Sequence, residues 1–439
     1  MQSQKKLAAF SIIKSLTDKG YQALYAGGYV RDLLMGPDNL GGDIDIATDA
    51  TPETVASMFQ HVIGVGEHFG VMIVVVDGLP FEVATFRKDV GIADGRHPGK
   101  VVFTDALHDA QRRDFTINGM FYDPLKHKVY DYVGGQEDID RKIIRAIGDP
   151  LLRFEEDYLR ILRAIRFAAR FDFAIDPDTW DALQKKVEGI SSVSAERIFQ
   201  ECDKIVQGPH SERALVLLHS SGLLSQVLPE LEAMAGVEQP QEFHPEGDVF
   251  IHTAKTLSLL THPSRITAWS ALLHDIGKPR TMTKTDRIRF SNHSRLGAEM
   301  AKKLLIRLKA PHHLIDGVYA CIDNHMNFMN VKNMRLSTLK KFLSRSTFED
   351  EIELHRVDCL ASHGDLANYN FLRSKQQEIP VDEIKPLPLL TGKDLIVLGL
   401  QPGPGFKTIL NDAYDLQLEG KITSADQARE WARTNWSPR

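Results

Sequence analysis

The chain has 439 residues, of which 43% are hydrophobic and 26% charged, and its formal net charge is −6. This length predicts about two to four domains, and the charge excludes a globally basic nucleic-acid-binding protein, so any RNA contact must use a local basic face. The three scattered cysteines and the lack of an apolar run of about 18 residues exclude a disulfide framework and a membrane partner, and they predict a cytoplasmic protein.

Residues 1–145 alternate between helix-like and strand-like segments. Val71–Val76 and Phe81–Phe86 flank Asp77–Gly78, a pattern typical of a β-hairpin with a tight turn. The apolar runs on either side of Asp123-Pro124 predict a second strand pair. We therefore expect an α+β head in which helices pack on a mixed or antiparallel sheet.

Two closely spaced carboxylates follow a glycine-rich segment of this head. Asp43 and Asp45 are separated by one residue, so in a strand both side chains point to the same face. The two carboxylates repel each other unless a cation lies between them, and such oxygen ligands suit Mg²⁺ shared with a triphosphate. Gly27–Gly28 allows phosphate to approach the backbone, and Arg31 follows in a helix. An isolated pair of this kind also fits a solvated strand edge, but the upstream glycines and arginine favour the metal site.

Two further charged residues of the head are weaker candidates. Arg113, within RRDFTING (Arg112–Gly119), lies where a loop enters the sheet and an arginine can bind a ribose or a triphosphate. Glu82, within the strand FEVATF, is a candidate third carboxylate, although a single Glu in a strand more often faces solvent.

From residue 146 the pattern turns helical, and its most basic stretch is Glu155–Arg170. On one continuous helix the arginines of this stretch fall within about 120° of each other: Arg160, Arg163, Arg166 and Arg170. Such a row repels itself, which favours a bound anion or planar base, and Asp157 with Arg160 offers an acceptor and a donor to a base edge. A solvated basic face balanced by the acids at the start of the stretch is the alternative.

A set of histidines begins after a polar, proline-containing segment near residue 236. His274-Asp275 ends an apolar run in ALLHDIGK, with His252 before it and Asp358 after it. Imidazole and carboxylate ligands together suit Mn²⁺, Ni²⁺, Fe²⁺ or Mg²⁺. These four residues resemble the ligand set of HD-domain phosphohydrolases, and His293 and His325 lie between them as in HD proteins with two metals. Chance neighbours are common among 17 histidines, so this last pair stays open.

Six motifs of the first half occur in one order and at matching spacing. They are GGYVRD, GDIDIAT, RRDFTIN, DYVGGQEDI, EDYLR and SAERI. Together they closely resemble the bacterial class II CCA-adding enzymes, or tRNA nucleotidyltransferases, from residue 20 to about 205, and LTGKDLIVLGLQPGPGF in the tail is also similar. The resemblance implies a polymerase-β-like nucleotidyltransferase head at 1–145, an all-α neck with nucleotide-base and RNA binding at 146–235, an HD-type metal domain at 236–378 and a helical tail at 379–439.

The resemblance also implies site residues in the head. Asp43 and Asp45 would bind the catalytic Mg²⁺. Gly28, Arg31 and Arg113 would contact the incoming nucleotide. The implied reaction is attack of the tRNA 3′-hydroxyl on the α-phosphate of CTP or ATP, with release of pyrophosphate.

In the neck, the resemblance implies that side chains select the nucleotide. Asp157 and Arg160 match residues that pair with the base of CTP or ATP, so that protein replaces a nucleic-acid template. Arg163 and Arg166 match further nucleotide contacts. Arg87–Lys100 resembles a mobile loop that helps the family to switch from C to A addition.

The implied function is template-independent addition of CCA to the 3′ end of tRNA. An A-adding enzyme or a poly(A) polymerase of the same family is one alternative. Another is a metal-dependent phosphohydrolase with a nucleotide- or RNA-binding head, although a repelling carboxylate pair is not needed for binding alone. The sequence leaves open the oligomeric state and whether the HD-type site hydrolyses a substrate.

Overall fold

The structure is a computed structural model that describes residues 2–36, 42–66, 70–92, 98–242 and 244–436. The chain divides into two compact units, Met1–Glu232 and Ala233–Arg439. A membrane-spanning helix must be long and apolar, and no helix within the described ranges has that character.

The first unit begins with alternating helices and strands. In chain order they are α1 (Gln2–Asp18), β1 (Ala23–Ala26), α2 (Gly28–Leu34), β2 (Asp45–Thr48), α3 (Pro52–Met58), β3 (Val62–Gly66), β4 (Val71–Val76), β5 (Leu79–Thr85), β6 (Arg87–Ile92), β7 (Pro98–Phe103), α4 (Ala106–Gln111), β8 (Met120–Asp123), β9 (Lys128–Asp131) and α5 (Gly135–Asp140). Seven strands form one sheet in the order β3-β4-β5-β2-β1-β8-β9, and β2 and β5 pair in parallel. The expected α+β head with a mixed sheet is confirmed.

The two strand pairs expected from the sequence are present. β4 pairs antiparallel with β5, and Val76 lies opposite Leu79 across a two-residue turn. Asp77 and Gly78 in that turn have φ of 52° and 75°, as the hairpin turns that match strand twist require. β8 and β9 also pair antiparallel, and Asp123 lies opposite Lys128 across a four-residue connection.

Strand β1 is buried on both faces and so anchors the sheet. Tyr25 packs in the cluster that includes helix α1, whereas Leu24 packs on the opposite face with Phe86. Alternate side chains of a strand point to opposite faces, so both layers of apolar side chains fix the strand. Ala26 lies opposite Asp45 in the pairing of β1 with β2. The core therefore holds Asp45 beside the glycines that follow Ala26.

The segment Arg87–Lys100, expected to resemble a mobile loop, is strand where it is described. β6 and β7 pair antiparallel from Arg87 opposite Phe103 to Ile92 opposite Pro98. Residues 93–97 lie outside the described residues.

The rest of the first unit is almost entirely helical. A short parallel pair, β10 (Ile143–Ile144) and β11 (Ala174–Ile175), accompanies α6 (Pro150–Glu156), α7 (Leu159–Phe171), α8 (Pro177–Lys186), α9 (Ala195–Val206), α10 (Ser211–Ser220), α11 (Leu223–Val227) and α12 (Pro229–Glu232). As the sequence predicted, α7 buries an apolar face opposite its arginines, formed by Ile161, Leu162, Ile165, Ala168 and Ala169.

The prediction of one continuous helix over Glu155–Arg170 is wrong, because α6 ends and α7 begins on either side of Asp157 and Tyr158. Asp157 between α6 and α7 has an extended backbone, with φ −159° and ψ 102°. Its Oδ1 accepts a hydrogen bond from the backbone N–H of Leu159 at 3.2 Å. An Asp side chain that satisfies a free N–H at a helix start favours a new helix over continuation of the old one. Asp157 therefore lies at a junction rather than on the edge of a helical face.

Where the structure describes it, the second unit is helical apart from one small antiparallel hairpin and an isolated bridge between Glu238 and Asp248. Its elements are α13 (Val249–Ser258), α14 (Arg265–Leu273), α15 (Lys278–Thr281), β12 (Met282–Lys284), β13 (Ile288–Phe290), α16 (His293–Arg307), α17 (His312–Asn324), α18 (Leu336–Leu343), α19 (Phe348–Ala361), α20 (Ala367–Glu378), α21 (Val381–Ile384), α22 (Gly392–Val397), α23 (Pro404–Leu418) and α24 (Ala425–Asn435). Helix α14 carries the fully buried Trp269. Helices α22 to α24 enclose a small core of their own that includes Leu395 and Ile409.

Candidate functional site

A cleft of about 580 Å³ lies within the first unit, lined by residues of β1, β2, β5, α2, α7 and α9. It brings together Asp45 and every residue that the sequence marked for nucleotide contact, namely Gly28, Arg31, Arg113, Asp157, Arg160, Arg163 and Arg166. Glu82 and Arg197 also line it. The cleft is therefore strongly basic on its α7 side and acidic where β2 meets β5.

The strand-to-helix connection after β1 allows a close approach to the backbone. Gly27 has φ 62° and ψ −131°, and a Cβ there would lie 2.8 Å from Nη1 of Arg113. The backbone conformation thus excludes a side chain, and a Cβ would also displace the guanidinium of Arg113. In this structure the close approach is made by the guanidinium of Arg113, which also donates to the backbone carbonyl of Asn118 at 3.3 Å.

Asp45 begins β2 inside the cleft, next to a second carboxylate. Burial, and then the charge of Glu82, raise the pKa of Asp45 to about 6. Glu82 lies on β5, which pairs in parallel register with β2. Two crowded carboxylates of this kind are the donor set that a hard divalent cation satisfies, so the residues fit Mg²⁺.

The sequence predicted that Asp43 and Asp45 share one strand face, and this prediction is wrong. The strand starts only at Asp45, so the alternation of side chains does not extend back to Asp43. The side chain of Asp43 is 95% exposed and accepts a hydrogen bond from Nζ of Lys5 at 3.0 Å. It does not line the cleft in this structure.

Arg31 is fixed in place by buried partners. Its Nη2 donates to Oδ1 of Asp32 at 2.6 Å, and its Nη1 donates to Oδ1 of Asn118 at 2.6 Å. Its guanidinium also lies 4.6 Å from the ring centroid of Phe171. Burial lowers the pKa of Arg31, and Asp32 opposes that effect. Arg31 thus gives the cleft a fixed positive charge.

Three arginines of α7 each pair with a carboxylate, so the row does not need a bound anion, contrary to the expectation from the sequence. Arg163 Nε donates to Oδ2 of Asp114 at 2.8 Å, and Arg166 Nε donates to Oε2 of Glu201 at 2.6 Å. Arg160 Nη1 donates to Oε2 of Glu156 at 2.6 Å. Burial opposes ionisation of Asp114, but Arg163 holds the pKa of that carboxyl well below its usual range. Asp114 comes from a loop and Glu201 from α9, so these two partners lie outside the helix.

Asp157 and Arg160, the residues expected to read the base, are both held by neighbours. Arg197 on α9 donates to both oxygens of Asp157, at 3.1 and 2.7 Å. Arg160 also donates to the backbone carbonyls of Arg153 and Arg112, at 2.9 and 3.3 Å. Arg197 lies within the SAERI motif but was not predicted as a site residue. Its contact with Asp157 joins segments 40 positions apart, which no local pattern shows.

The second unit gathers the four predicted HD-type ligands. Nε2 of His252 lies 3.0 Å from Oδ1 of Asp358 and 3.9 Å from Oδ2 of Asp275. Nε2 of His274 lies 3.2 Å from Oδ2 of Asp275 and 4.0 Å from Oδ1 of Asp358. Nε2 of His274 is buried and has no hydrogen-bond partner among the described residues. A buried imidazole nitrogen that faces carboxylates fits a divalent metal.

A second ligand group adjoins the first through Asp275. Oδ1 of Asp275 lies 3.6 Å from Nε2 of His293, which lies 3.1 Å from Nε2 of His325. The ligand atoms of these three residues lie within 4.8 Å of one another. The ammonium of Lys278 lies 2.7 Å from Oδ2 of Asp275 and adds a positive charge at the junction.

Glu246 is a residue of this site that the sequence reasoning missed. Its Oε1 accepts from Nδ1 of His252 at 2.7 Å and from Nδ1 of His244 at 3.2 Å. This contact directs Nε2 of His252 toward Asp358. Although burial acts to lower it, the hydrogen bonds to Asp358 and Glu246 raise the pKa of His252 to about 9. The only signal in the sequence is a Glu six positions before the first ligand histidine.

Three family models match successive parts of the chain. They are described as the poly A polymerase head domain (residues 23–145), the probable RNA and SrmB-binding site of polymerase A (172–234) and the HD domain (249–361). The class of protein is therefore a nucleotidyltransferase with a head domain like that of poly A polymerase, followed by an RNA-binding segment and an HD domain.

Similar proteins of known activity narrow the class to one family. The chain is 32% identical over 432 residues to the CCA-adding enzyme of Bacillus subtilis (strain 168), with 98% of each chain covered. The chain belongs to the family of CCA-adding enzymes. The match to the enzyme of Bacillus pumilus is 44% identical over 225 residues, which is 51% of this chain and 55% of that relative.

Solved structures show the same relationship. The crystal structure of the Bacillus stearothermophilus CCA-adding enzyme in complex with CTP superimposes with a TM-score of 0.76 at 28% identity, covering 98% of both chains. The Thermotoga maritima CCA-adding enzyme complexed with tRNA has a TM-score of 0.60 at 20% identity, which shows the shared fold.

Proposed function

We propose that this protein adds CCA to the 3′ end of tRNA, using CTP and ATP without a nucleic-acid template. The observation that carries the proposal is the cleft in which Asp45 and Glu82 face a wall of arginines. It occurs in a chain that is 32% identical to a CCA-adding enzyme across 98% of both lengths. The related Bacillus stearothermophilus structure, similar over 98% of both chains, was solved with CTP.

The head would perform the transfer by positioning and charge. Asp45 would hold Mg²⁺ together with Asp43, which is exposed and outside the cleft lining but close enough for its charge to add to the effects of burial and Glu82 in raising the pKa of Asp45. The metal would supply positive charge for the attacking 3′-hydroxyl and the departing pyrophosphate. Arg31 and Arg113 would bind the triphosphate, because both guanidiniums line the cleft near the same glycines. No covalent step on the protein is required, since phosphoryl transfer depends mainly on orientation and electrostatic stabilisation.

The neck would select the base. Asp157 offers an acceptor and Arg160 a donor, and Arg197 holds Asp157 through two hydrogen bonds. A rigid donor–acceptor pair can distinguish base edges as nucleic acid does, because a wrong base leaves a buried polar group without a partner. Arg163 and Arg166 would add fixed charge beside the nucleotide.

A second activity, metal-dependent phosphohydrolysis, is favoured by the two ligand groups that share Asp275. Mn²⁺, Ni²⁺, Fe²⁺ or Mg²⁺ would be held by His252, His274, Asp275 and Asp358, and would supply an activated water at neutral pH.

We also propose the domain limits and the cellular location. The limits are a head at 1–145, a neck at 146–235, an HD-type domain at 236–378 and a tail at 379–439. Support comes from the division of the chain after Glu232 and from the separate core of the last helices. The three cysteines are buried and none forms a disulfide, which supports a reducing compartment such as the cytoplasm.

The test is incorporation of each labelled nucleotide, with Mg²⁺, into tRNAs that end at the discriminator base, at C and at CC. Addition of C, C and A followed by a stop supports the proposal. A single A added only to the CC-ended tRNA indicates an A-adding enzyme, and a long A tract indicates a poly(A) polymerase. No incorporation on any substrate leaves the phosphohydrolase as the main activity.

A further inference from the structure

Arg170 differs from the other arginines of α7 because it has no carboxylate at hydrogen-bond distance. Its Nη2 lies 3.9 Å from Oδ2 of Asp32, whose Oδ1 already accepts from Arg31. Its guanidinium packs 5.0 Å from the ring centroid of Phe171, and its side chain is 42% exposed. Within the described ranges, this guanidinium donates no hydrogen bond, so its donors are available to a ligand.

Arg170 lines a second pocket, of about 510 Å³, between α7 and the end of α9. Arg166, Lys204 and the loop Gln207–Pro209 also line it. Nε of Arg166 donates to Glu201, but neither of its Nη atoms donates to another described residue. Lys204 is 58% exposed and lies 3.4 Å from the same carboxylate.

The pocket therefore carries a surplus of positive charge. Glu201 pairs with the cations of the pocket but is shared by Arg166, Lys204 and, at 3.9 Å, Arg163. Among the described residues that line the pocket there is no Asp or Glu. Cations that outnumber their acids in a partly enclosed pocket attract an anion, and arginine donors fit a phosphate in particular.

We propose that this pocket binds a backbone phosphate of tRNA close to its 3′ end. Arg166 and Arg170 line both this pocket and the nucleotide cleft, so a phosphate here lies beside the incoming nucleotide. A triphosphate with its metal fits the cleft instead, because the carboxylates of Asp45 and Glu82 lie there. Lys204 also lies within residues 172–234, which match a probable RNA-binding site. The inference rests on the proposed function and locates one contact with its RNA substrate.

The test compares direct binding of tRNA and of CTP by Arg170→Gln, Lys204→Gln and Lys204→Glu. Fluorescence anisotropy with labelled tRNA, at several salt concentrations, reports RNA affinity, and calorimetry reports CTP affinity. Lys185→Glu is the matched control, because Lys185 is 60% exposed and, like Lys204, pairs with an acid of its own helix. Thermal denaturation identifies any variant that fails to fold.

For Lys204→Glu we expect tRNA affinity to fall roughly tenfold, with CTP affinity at the wild-type value. For Arg170→Gln, which also lines the nucleotide cleft, we expect a similar fall in tRNA affinity. The slope of log Kd against log salt should fall by about 0.7 to 0.9 for each lost phosphate contact. Lys185→Glu should bind both ligands as the wild type does. Lys204→Gln should lie between the wild type and Lys204→Glu, because it removes a charge without reversing it.

Two results overturn the inference. One is equal tRNA binding by the Lys204 variants and the Lys185 control, which removes the phosphate site. The other is weakened CTP binding with unchanged tRNA binding, which makes the pocket a nucleotide site. Wild-type protein that binds tRNA through this pocket yet incorporates no nucleotide contradicts the proposed function alone, so the two failures are distinguishable.

Discussion

At Asp45 the fold works against ionisation of a carboxyl that the proposed chemistry needs ionised. Burial and Glu82 raise its pKa from 3.8 to about 6. Between pH about 4 and 6 the folded protein therefore binds more protons than the unfolded chain, and its stability decreases as pH rises through that window. Above pH 6 the free energy of unfolding of the metal-free protein is lowered by the full cost of burying the ionised carboxylate.

Replacing the carboxyl by an amide removes this cost. We expect Asp45→Asn to raise the melting temperature of the EDTA-treated protein at pH 7.5 by a few degrees, since each kcal/mol corresponds to about 2–4 °C in a domain of this size. The difference should disappear below pH about 4, where both folded and unfolded wild type are protonated. Added Mg²⁺ should stabilise the wild type and not the variant.

Thermal denaturation at pH 3.5 to 8 provides the measurement, and Asp140→Asn, an exposed residue of α5, is the control. Parallel curves for wild type and Asp45→Asn across this range would contradict the raised pKa. Loss of nucleotide incorporation by Asp45→Asn at pH 7.5 is expected in the same experiment, so the substitution exchanges activity for stability.

Glu246 is the residue that orients the first ligand histidine of the second unit. Its Oε1 lies 2.7 Å from Nδ1 of His252, which leaves Nε2 facing Asp358. Carboxylates that hold a ligand histidine in this way commonly contribute a factor of about 10 to 100 in metal affinity. We expect Glu246→Ala to weaken Mn²⁺ or Ni²⁺ binding by that factor in calorimetric titration of the metal-free protein.

Two comparisons sharpen this experiment. Glu246→Gln keeps an oxygen that accepts from Nδ1 and should lose less affinity than Glu246→Ala. Glu353 on α19 pairs with Arg356 in the same unit, and Glu353→Ala should bind metal as the wild type does. Equal metal affinity in Glu246→Ala and Glu353→Ala would contradict an orienting role for Glu246.

The break between α6 and α7 gives Asp157 a position that a continuous helix would not. Because the chain is extended there, both oxygens of Asp157 reach the guanidinium of Arg197 on α9, and Arg160 follows in the first turn of α7. The donor–acceptor pair proposed to select the base is therefore held by two helices together. Loss of either support should loosen the selection.

We expect Arg160→Ala and Arg197→Ala each to reduce the preference for C and A over U and G by roughly 10- to 100-fold, the range of one lost bidentate contact. The measurement is kcat/KM for all four nucleotides on tRNAs ending in C and CC. Arg141, an exposed partner of Glu137, is the control in Arg141→Ala. Unchanged discrimination by Arg197→Ala would show that Asp157 does not need this support.

The sequence was informative where a pattern is local. The turn of Asp77 and Gly78 and the apolar face of α7 follow from spacing alone, since φ above zero and the helical period are properties of short segments. The partners of the α7 arginines could not be found this way. Asp114 lies 49 positions before Arg163, and Glu201 lies 35 positions after Arg166. The acids near the helix start balance its arginines only in part, so the sequence of this stretch alone overestimates the repulsion among Arg160, Arg163 and Arg166.

The same limit applies to the two proposed metal sites. His252, His274, Asp275 and Asp358 meet from α13, the end of α14 and α19. Their resemblance to a known ligand set predicts them together, because their spacing along the chain does not show that they meet. Alternation of side chains predicts which residues share a face but not where a strand begins, and β2 begins only at Asp45, after Asp43. Glu82 reaches Asp45 through parallel pairing of β2 with β5, a long-range contact that no local pattern encodes.

On the scale of the whole molecule, the two proposed activities use ligands from different units. Asp43 and Asp45 lie in Met1–Glu232, and all the HD-type ligands lie in Ala233–Arg439. Since neither set borrows a residue from the other, each substitution should remove one activity. Asp43→Ala should reduce nucleotide incorporation on the order of a thousandfold, the scale of removing one charged contact in a transition state, and leave metal-dependent hydrolysis of phosphate esters intact.

Asp275→Ala should do the reverse, because it removes the one carboxylate shared by both histidine groups. Mn²⁺ or Ni²⁺ should raise the melting temperature of the second unit in the wild type, since a ligand that binds only the folded state stabilises it, and this shift should vanish in the variant. Asp275 is 1% exposed, so Asp275→Asn, of similar shape, separates loss of the metal from loss of the fold. Incorporation that fails in Asp275→Asn while the melting profile is preserved would mean that the transfer reaction depends on the second site, and the two activities would then have to be explained as one.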